Sequence, residues 1–424
     1  MFDTLVYVGG ENAFERGAIG THMRGVVNAF HNTSRFKIIF IGGKYHDEVN
    51  DGGIKAHEIN ILPVNRSTSM AGRMAACLRY SYSVIQALKK LMRNGSDFYV
   101  YTRYSLYTTP VVLTFLKKHG IKTIVEYNDV TTDVLLFEKN LNPGFSAGKL
   151  IRTGNLTVKA IQRLEAYSFK KAGLIVTMTE GLSRYIHGLT PEANVIVSNN
   201  ATGIENIRYT RGIDKSGLRV KLNLSPDLFY ICYLGTITWW DGLGILLEAL
   251  HMLKHRADIR LIMIGYGADL KLVKDTVKKL GLMERVIFFP AMPFKEAYDY
   301  LIASDLAPVV KLIDTYEYTP IKYYEAMASA TPIIANDILY INEAGKHRWG
   351  KVLPHPPSAK DMAEAIEHFY AIKDTLDAMK EEILNYAESF HTWDRRVEAV
   401  IAAMRAVLGE GLHPSPNTKL QSFD

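Results

Sequence analysis

Two carboxylates lie on either side of a proline in the second half of the chain, at Glu317 and Glu325, with seven residues between them. Pro320 suits the first position of a helix, because its missing N–H would have no intrahelical partner there, and Thr319 is a candidate N-cap. The N–H groups and positive dipole of a helix start favour anions, and Lys322 adds a full positive charge in the first turn. The segment therefore has the chemistry of a diphosphate site.

The two carboxylates themselves have two interpretations. Carboxylate oxygens accept hydrogen bonds from vicinal hydroxyls, so one acid can bind a ribose and the other a hexose at opposite ends of a diphosphate. Equally, Glu317 can be a solvated loop residue and Glu325 an exposed helix residue. The local pattern favours neither interpretation, and the elements around it have to decide.

Length and composition bound the class of protein. A chain of 424 residues, 48% of them hydrophobic, can bury two large cores. The net charge of +6 favours anionic ligands, but no run of five or six like charges marks a nucleic-acid-binding arm, so nucleic acid is not an expected partner. Cys77 and Cys232 are too few for a disulfide framework and are expected in the core. No Asp-x-Asp or histidine cluster indicates a catalytic metal.

The chain shows no targeting segment. Residues 1–10 lack a basic leader, and no stretch has the roughly 18 to 20 apolar residues that span a bilayer. We therefore expect a cytoplasmic protein, with peripheral contact at the inner face of the membrane as an option. Residues 65–93 suit such contact, since Arg and Lys alternate there with Met, Leu and Tyr; the alternative is an ordinary domain helix with a solvated basic face. The polar tail, residues 411–424, is expected to be mobile.

Short apolar runs rich in Val and Ile alternate with helical patterns, which is typical of parallel sheets covered by helices. In the first half the predicted strands are 5–8, 37–41, 98–101, 123–126, 174–177 and 195–198, and the predicted helices include 21–30, 71–92 and 150–171. In the second half the predicted strands are 229–234, 260–264, 286–289, 306–310 and 332–335, and the predicted helices include 242–254, 268–280, 294–303 and 320–329. The chain is therefore predicted to be an α/β protein.

Residues 199–227 separate the two series. They are polar and weakly periodic, so we predict a linker there. The predicted domains are 1–205 and 206–390, the second ending in helical segments at 359–369 and 372–390, with a C-terminal helix at 391–408 that packs back on the first domain. Two α/β halves in tandem imply a cleft lined by the carboxyl ends of strands.

This pattern resembles the retaining GT-B glycosyltransferases of family 4, also called glycosyl transferases group 1. The similarity runs from about Val6 to Leu408, and its most specific part is the pair Glu317 and Glu325 followed by residues 326–328 (Ala-Met-Ala) and 332–335 (Pro-Ile-Ile-Ala). The resemblance implies two Rossmann-like domains that face each other across a cleft. It also implies a UDP- or GDP-linked sugar donor held mainly by the second domain, and a glycan, lipid-linked or other hydroxyl acceptor held mainly by the first.

The same resemblance implies a hexosyltransferase that acts with retention of anomeric configuration in cell-surface polysaccharide or glycoconjugate biosynthesis, without a separate cofactor. Glu317 would hold the sugar hydroxyls, Glu325 the ribose, and Lys322 the charge of the leaving diphosphate. The other donor-binding candidates are glycines after strands and residues beside the helix start: Arg16, Gly17, Gly235, Thr236, Gly265, Gly267, Tyr318, Thr319, Pro320 and Ile321.

On the acceptor side, Val125–Asp129 resembles a subgroup in which Glu-x-Asn ends the fourth strand of the first domain. In other members of the family a histidine lies near the position of Asn128, close to the reacting sugar. Asn128 can orient hydroxyls there but cannot exchange a proton at neutral pH. The resemblance makes Glu126, Arg103 and His22 acceptor-binding candidates. The alternatives are a surface cation for Arg103 and a solvated or capping side chain for His22.

Two cations common in the family are absent. Where many members carry an arginine and a lysine after the first strand of the donor domain, this chain has Thr236 and Asp241. An acid beside a diphosphate would be repulsive, so binding would rely on Lys322, the helix start, backbone amides and Arg16 or Lys311. The loss keeps one alternative to a transferase open, a non-catalytic nucleotide-sugar-binding partner. A second alternative is a GT-B epimerase or phosphorylase, which shares the two-domain cleft.

Overall fold

A computed structural model describes residues 3–9, 17–42, 53–61, 70–95, 97–131, 155–312, 319–337 and 342–409. Three candidate site residues, Arg16, Glu317 and Tyr318, lie outside the described residues, as does the tail predicted to be mobile. Structural statements below concern the described ranges.

The first half forms one parallel sheet, because its apolar runs can be buried on both faces by helices. The strands are β1 (Asp3–Gly9), β2 (Phe36–Gly42), β3 (His57–Asn60), β4 (Phe98–Arg103), β5 (Thr123–Tyr127), β6 (Leu174–Thr177) and β7 (Val195–Val197). They pair in the order β3-β2-β1-β4-β5-β6-β7. The helices are α1 (Ala18–Asn32), α2 (Met70–Arg93), α3 (Thr109–Lys118), α4 (Asn155–Phe169) and α5 (Glu180–Leu189).

The second half repeats this architecture in two parallel three-stranded groups. Its strands are β8 (Phe229–Leu234), β9 (Ile259–Ile264), β10 (Val286–Phe289), β11 (Ala307–Val309), β12 (Ile333–Asn336) and β13 (Gly350–Leu353). The groups are β10-β9-β8 and β11-β12-β13, and a bridge between Ile231 and Leu306 connects β8 to the residue before β11.

Nine helices of the described residues accompany this half or follow it. They are α6 (Ile204–Arg211), α7 (Lys215–Lys221), α8 (Leu243–Met252), α9 (Leu270–Lys279), α10 (Phe294–Ala303), α11 (Ile321–Ala328), α12 (Ala359–Ala371), α13 (Lys380–Phe390) and α14 (Trp393–Leu408). The predicted α/β class with parallel sheets is confirmed, and both cysteines are buried as predicted. The predicted domain boundary between residues 205 and 206 stays a prediction.

In two connecting segments the secondary structure differs from the prediction. The predicted linker contains helices α6 and α7, because Asp214 caps α7 by accepting hydrogen bonds from the N–H groups of Ser216 and Gly217, while Ile207 and Leu218 are buried. The predicted helical segment at 372–390 starts with two short 3-10 turns, and regular α-helix begins only at α13. Strands β3 and β13 were not predicted.

The C-terminal helix α14 packs on the first half of the chain, against α1. Trp393, Val397 and Met404 share a core with Met23 of α1 and with strands of the first sheet. The contact is close enough to require glycine at position 25, since a Cβ atom there would lie 2.4 Å from the Trp393 ring.

The substitution Gly25→Ala therefore should push α14 away from α1. We expect a loss of about 1–3 kcal/mol in the free energy of unfolding, as is usual for overpacking in a core, measured by urea denaturation. Gly244→Ala in α8 is the matched control, because a Cβ atom at that position meets open space. Equal effects of the two substitutions would contradict this packing.

Candidate functional site

Helix α11 begins one residue later than predicted. Pro320 is its N-cap, with extended backbone angles (φ −69°, ψ 136°), and makes no capping side-chain hydrogen bond. The predicted Thr319 cap is therefore wrong: proline holds the extended conformation that precedes the first turn, and Ile321 is the first helical residue. The N–H groups at this helix start carry no side-chain cap, as an anion site requires.

Lys322, at the second helical position, belongs to a buried ionic cluster. Its Nζ lies 2.6 Å from Asp241 Oδ1, and Nζ of Lys311, just after β11, lies 2.5 Å from the same oxygen. Thr238 donates a hydrogen bond to the other carboxylate oxygen. Two lysines and one carboxylate leave a net charge of +1, so Asp241 does not stand as an uncompensated acid beside the helix start.

The pKa values of the cluster follow from burial and proximity. Burial alone would raise the pKa of Asp241, but Lys322 and Lys311 lower it to about 2. Burial, together with Lys322, lowers the pKa of Lys311 to about 8, against the opposing effect of Asp241. Below that pH the cluster keeps its positive charge.

The loop after β8 lies beside Lys322. Gly235 has a φ of 144°, and a Cβ atom there would be 3.9 Å from Lys322 Nζ. Tyr233 places its hydroxyl 3.2 Å from the same nitrogen and donates a hydrogen bond to the carbonyl oxygen of Thr236. The structure thus brings together three predicted donor-site residues, Gly235, Thr236 and Lys322.

Close packing inside the protein explains why positions 265 and 267 are glycine, which the sequence alone did not indicate. Cβ atoms at these positions would lie 1.9 Å from the Gly235 carbonyl oxygen and 2.0 Å from the Ile237 carbonyl oxygen. The loop after β9 therefore packs directly on the loop after β8. The choice of glycine is explained by this contact within the protein, and contact with a nucleotide stays a prediction.

Glu325 lies on the face of α11 that is turned toward the protein interior. Its side chain is buried, and burial raises its pKa from the ordinary 4.5 to about 7, although Lys322 opposes the shift. The interpretation of Glu325 as an exposed helix residue is wrong. Glu317, its predicted counterpart, lies outside the described residues.

On the first sheet, Glu126 near the end of β5 forms a second buried ionic cluster. Its Oε1 accepts hydrogen bonds from His22 Nε2 at 2.7 Å and from Arg396 Nη2 at 2.5 Å. Burial would raise the pKa of Glu126, but His22 and Arg396 hold it well below its usual range. His22 is 4% exposed and Glu126 is 0% exposed, and their predicted contact with the acceptor stays a prediction.

Asn128 and Arg103 lie at the carboxyl end of the same sheet. Asn128 is buried, and within the described residues its Oδ1 has no hydrogen-bond partner, so it can accept one from a ligand. Arg103 ends β4 in register with Glu126. Gly17 is the exposed N-cap of α1. Their predicted contacts with substrate stay predictions.

Sequence reasoning missed Arg396 and Asn200. Arg396 shares the buried face of α14 with Trp393, Val397 and Val400, and a charge on that apolar stripe was the available signal. Asn200 lies in the predicted linker, where the sequence indicates no particular role for it. It hydrogen-bonds to His22 and to the carbonyl oxygen of Thr319, so it connects the two candidate regions.

The described residues contain no group of three His, Cys, Asp or Glu side chains that could hold a metal ion. They also contain no helix with the length and apolar character needed to cross a bilayer.

Comparisons with known proteins agree with this geometry. Residues 214–385, which include β8 to β13 and α11, match the family model Glycosyl transferases group 1. The D-inositol 3-phosphate glycosyltransferase of Segniliparus rotundus is 25% identical over 203 residues, which are 47% of this chain and 44% of that protein. The chain matches about half the length of such curated relatives.

Solved structures match almost the entire chain. Sucrose-phosphate synthase from Thermosynechococcus elongatus has a TM-score of 0.72 at 14% identity, over 96% of this chain and 99% of its own. Anabaena HepE, in complex with UDP and glucose, has a TM-score of 0.66 at 14% identity, over 95% and 100%. The chain therefore has the GT-B fold, and residues 214–385 of its second half match the Glycosyl transferases group 1 model.

Glu325→Gln is expected to stabilise the protein at alkaline pH. Because the folded-state pKa is raised, the stability of the protonated form is fully present below pH 4.5 and is lost as the pH rises through 7. Glutamine cannot ionise, so we expect it to add about 3 kcal/mol to the free energy of unfolding at pH 8.5 and little at pH 5, measured by urea denaturation. Glu364→Gln, at an exposed position of α12, is the control. The same gain at both pH values would argue against a buried, ionisable Glu325.

Proposed function

We propose that the protein is a glycosyltransferase of family 4 that moves a hexose from a UDP- or GDP-linked donor to a hydroxyl acceptor with retention of configuration. The observation that carries this proposal is the Lys311–Asp241–Lys322 cluster at the uncapped start of α11, inside the segment that matches the family model. A helix start with a net positive cluster suits a diphosphate.

The proposed donor site uses both ends of α11. The diphosphate meets Lys322, the first N–H groups of the helix and the backbone around Gly235 and Thr236. Glu325 accepts hydrogen bonds from the ribose hydroxyls, and Glu317 from those of the hexose. The residues next to the helix start, Tyr318, Thr319, Pro320 and Ile321, and Arg16 and Gly17 across the cleft, complete the contacts. The UDP and glucose in HepE support a UDP-linked hexose.

In the proposed reaction the bond between the anomeric carbon and the diphosphate oxygen breaks, and a bond to the acceptor oxygen forms on the same face of the sugar. The charge that develops on the leaving diphosphate is stabilised by Lys322 and Lys311. The acceptor proton passes to a diphosphate oxygen, and Asn128 Oδ1 orients the acceptor hydroxyl. The reaction needs no separate cofactor.

The acceptor is proposed to be a glycan or a lipid-linked sugar, presented at the inner face of a membrane during the synthesis of a surface polysaccharide or glycoconjugate. Helix α2 supports this: Met74, Leu78 and Tyr82 are 47%, 50% and 65% exposed and recur every four residues on one face. Exposed basic residues accompany them, at Arg79, Lys89, Lys90 and Arg93. Such a face suits an anionic bilayer.

The donor site is tested with a panel of UDP- and GDP-linked hexoses, by calorimetric binding and by release of the nucleoside diphosphate. We expect one donor to bind and to be turned over slowly. Glu317→Gln, Glu325→Gln and Lys322→Ala should each weaken binding of that donor by about 10- to 100-fold, the usual loss for a hydrogen bond to a charged group.

Glu364→Gln is the control for these variants. Donor binding without release of nucleoside diphosphate would favour a binding partner, and turnover without acceptor into an isomeric sugar nucleotide would favour an epimerase. A strict phosphate requirement would favour a phosphorylase. Parent-like binding by all three site variants would refute the assigned site.

Membrane contact is tested by flotation with vesicles of phosphatidylcholine alone or mixed with phosphatidylglycerol. We expect flotation only with the anionic vesicles, and its loss in the variant Leu78→Glu/Tyr82→Glu, which places two acids on the exposed face of α2. Leu272→Glu, at an exposed position of α9, is the matched control. Binding that does not depend on anionic lipid or on α2 would rule out this contact.

A further inference from the structure

Asn200 connects the first sheet to the start of helix α11. Its side-chain Oδ1 lies 2.7 Å from His22 Nδ1, and its Nδ2 donates a hydrogen bond to the carbonyl oxygen of Thr319 at 2.6 Å. All three residues are buried. The side-chain amide of Asn200 thus links α1 to Thr319. Thr319 directly precedes Pro320 and the first turn of α11, which contains Lys322.

The direction of these hydrogen bonds is fixed by chemistry. A carbonyl oxygen only accepts, so the NH₂ group of Asn200 faces Thr319 and its oxygen faces His22. His22 Nδ1 must therefore carry a hydrogen. Nε2 faces the Glu126 carboxylate, which only accepts, so both contacts are hydrogen bonds when the ring carries a hydrogen on each nitrogen.

His22 is itself held by charged neighbours. Nε2 lies 2.7 Å from Glu126 Oε1 and 3.5 Å from Arg396 Nη1, and the Trp393 ring meets the imidazole edge-on at 5.2 Å. Burial lowers the pKa of His22, Glu126 opposes the shift, and Arg396 and Arg103 add to it. The imidazole is therefore fixed from β5 and α14.

Arg396 completes the connection at the far end. It donates from Nε to the carbonyl oxygen of Ser198 and from Nη2 to Glu126. The chain of contacts then runs from Arg396 through Glu126, His22 and Asn200 to Thr319. Its last member is a backbone carbonyl next to the helix start, so a shift of Asn200 moves the backbone that leads into α11.

We propose that His22 and Asn200 are positioning residues for the donor site: the Nδ1–H of His22 orients the Asn200 amide, which fixes the Thr319–Pro320 backbone and with it the start of α11. The two residues touch no substrate and act through Thr319. This inference rests on the proposed donor site, because its functional consequence is the placement of Lys322 and Glu325 around a nucleoside diphosphate.

The test uses variants that separate the two ring nitrogens. In His22→Asn the side-chain amide can take the place of Nδ1–H, whereas in His22→Gln it reaches toward the Nε2 position and Glu126. Asn200→Ala removes the bridge. Asn206→Ala, which removes another side-chain hydrogen bond of the same region, is the control. Urea denaturation establishes that each variant folds.

Hydrogen exchange is measured on the peptide that covers residues 319–328, with the peptide of α12 as internal reference. We expect exchange at 319–328 to accelerate about 10-fold or more in Asn200→Ala and His22→Gln, and to stay near the parent rate in His22→Asn and Asn206→Ala. The dissociation constant of UDP should rise about 10-fold in the first two variants only.

Nitrogen-15 NMR of the histidine rings supplies a second readout, with the His22 signal assigned by its loss in His22→Gln. We expect a protonated Nδ1 from pH 6 to 8 in the parent, and a proton on Nε2, facing Glu126, in neutral His22 of Asn200→Ala. An unprotonated Nδ1 in the parent overturns the inference.

The hydrogen-exchange results also test the positioning role of His22 and Asn200. Parent-like exchange in both Asn200→Ala and His22→Gln overturns the inference, and so does a His22→Asn variant as impaired as His22→Gln. If the parent binds neither UDP nor GDP, the donor site is refuted, while the exchange and NMR results still decide whether His22 and Asn200 fix the start of α11.

Discussion

A buried carboxylate that bonds two basic side chains is the interaction on which both candidate regions depend. Asp241 is shared by Lys311 and Lys322 in the second half, and Glu126 by His22 and Arg396 in the first. Removing a charge from water costs several kcal/mol, so a buried carboxylate persists only where partners compensate it. Each cluster therefore ties together elements from distant parts of the chain.

Glu325 shows what happens to the pKa of a buried carboxylate that does not have two basic partners of its own. It is buried like Asp241, and Lys322, the one cation that acts on its pKa, is already bonded to Asp241. Its pKa therefore lies near 7 and not near 2. A group held so close to its ionisation point is stabilised by a ligand that donates hydrogen bonds, which is what a ribose diol offers. The unfavourable burial of Glu325 is consistent with a binding role.

The fold could be predicted because its signals are local. Val- and Ile-rich runs and helical periodicity lie within one element, and the spacing of Glu317 and Glu325 lies within one segment. The two clusters could not be predicted in the same way. Arg396 meets Glu126 across 270 positions of the chain, and Lys322 meets Asp241 across 81. Sequence spacing carries no information about such pairs, so Asp241 looked like a repulsive acid when its charge is in fact neutralised.

These contacts explain why the C-terminal helix α14 packs on the first half of the chain. Packing of α14 against α1 buries apolar surface, which any amphipathic helix could do. What α14 adds is Arg396, a permanent cation 2.5 Å from Glu126 Oε1, whereas burial lowers the pKa of the other partner, His22. The last helix thus completes a chain of contacts that runs from Arg396 through Glu126, His22 and Asn200 to the backbone before α11. A segment far from the donor helix in sequence thereby becomes part of what holds that helix in place.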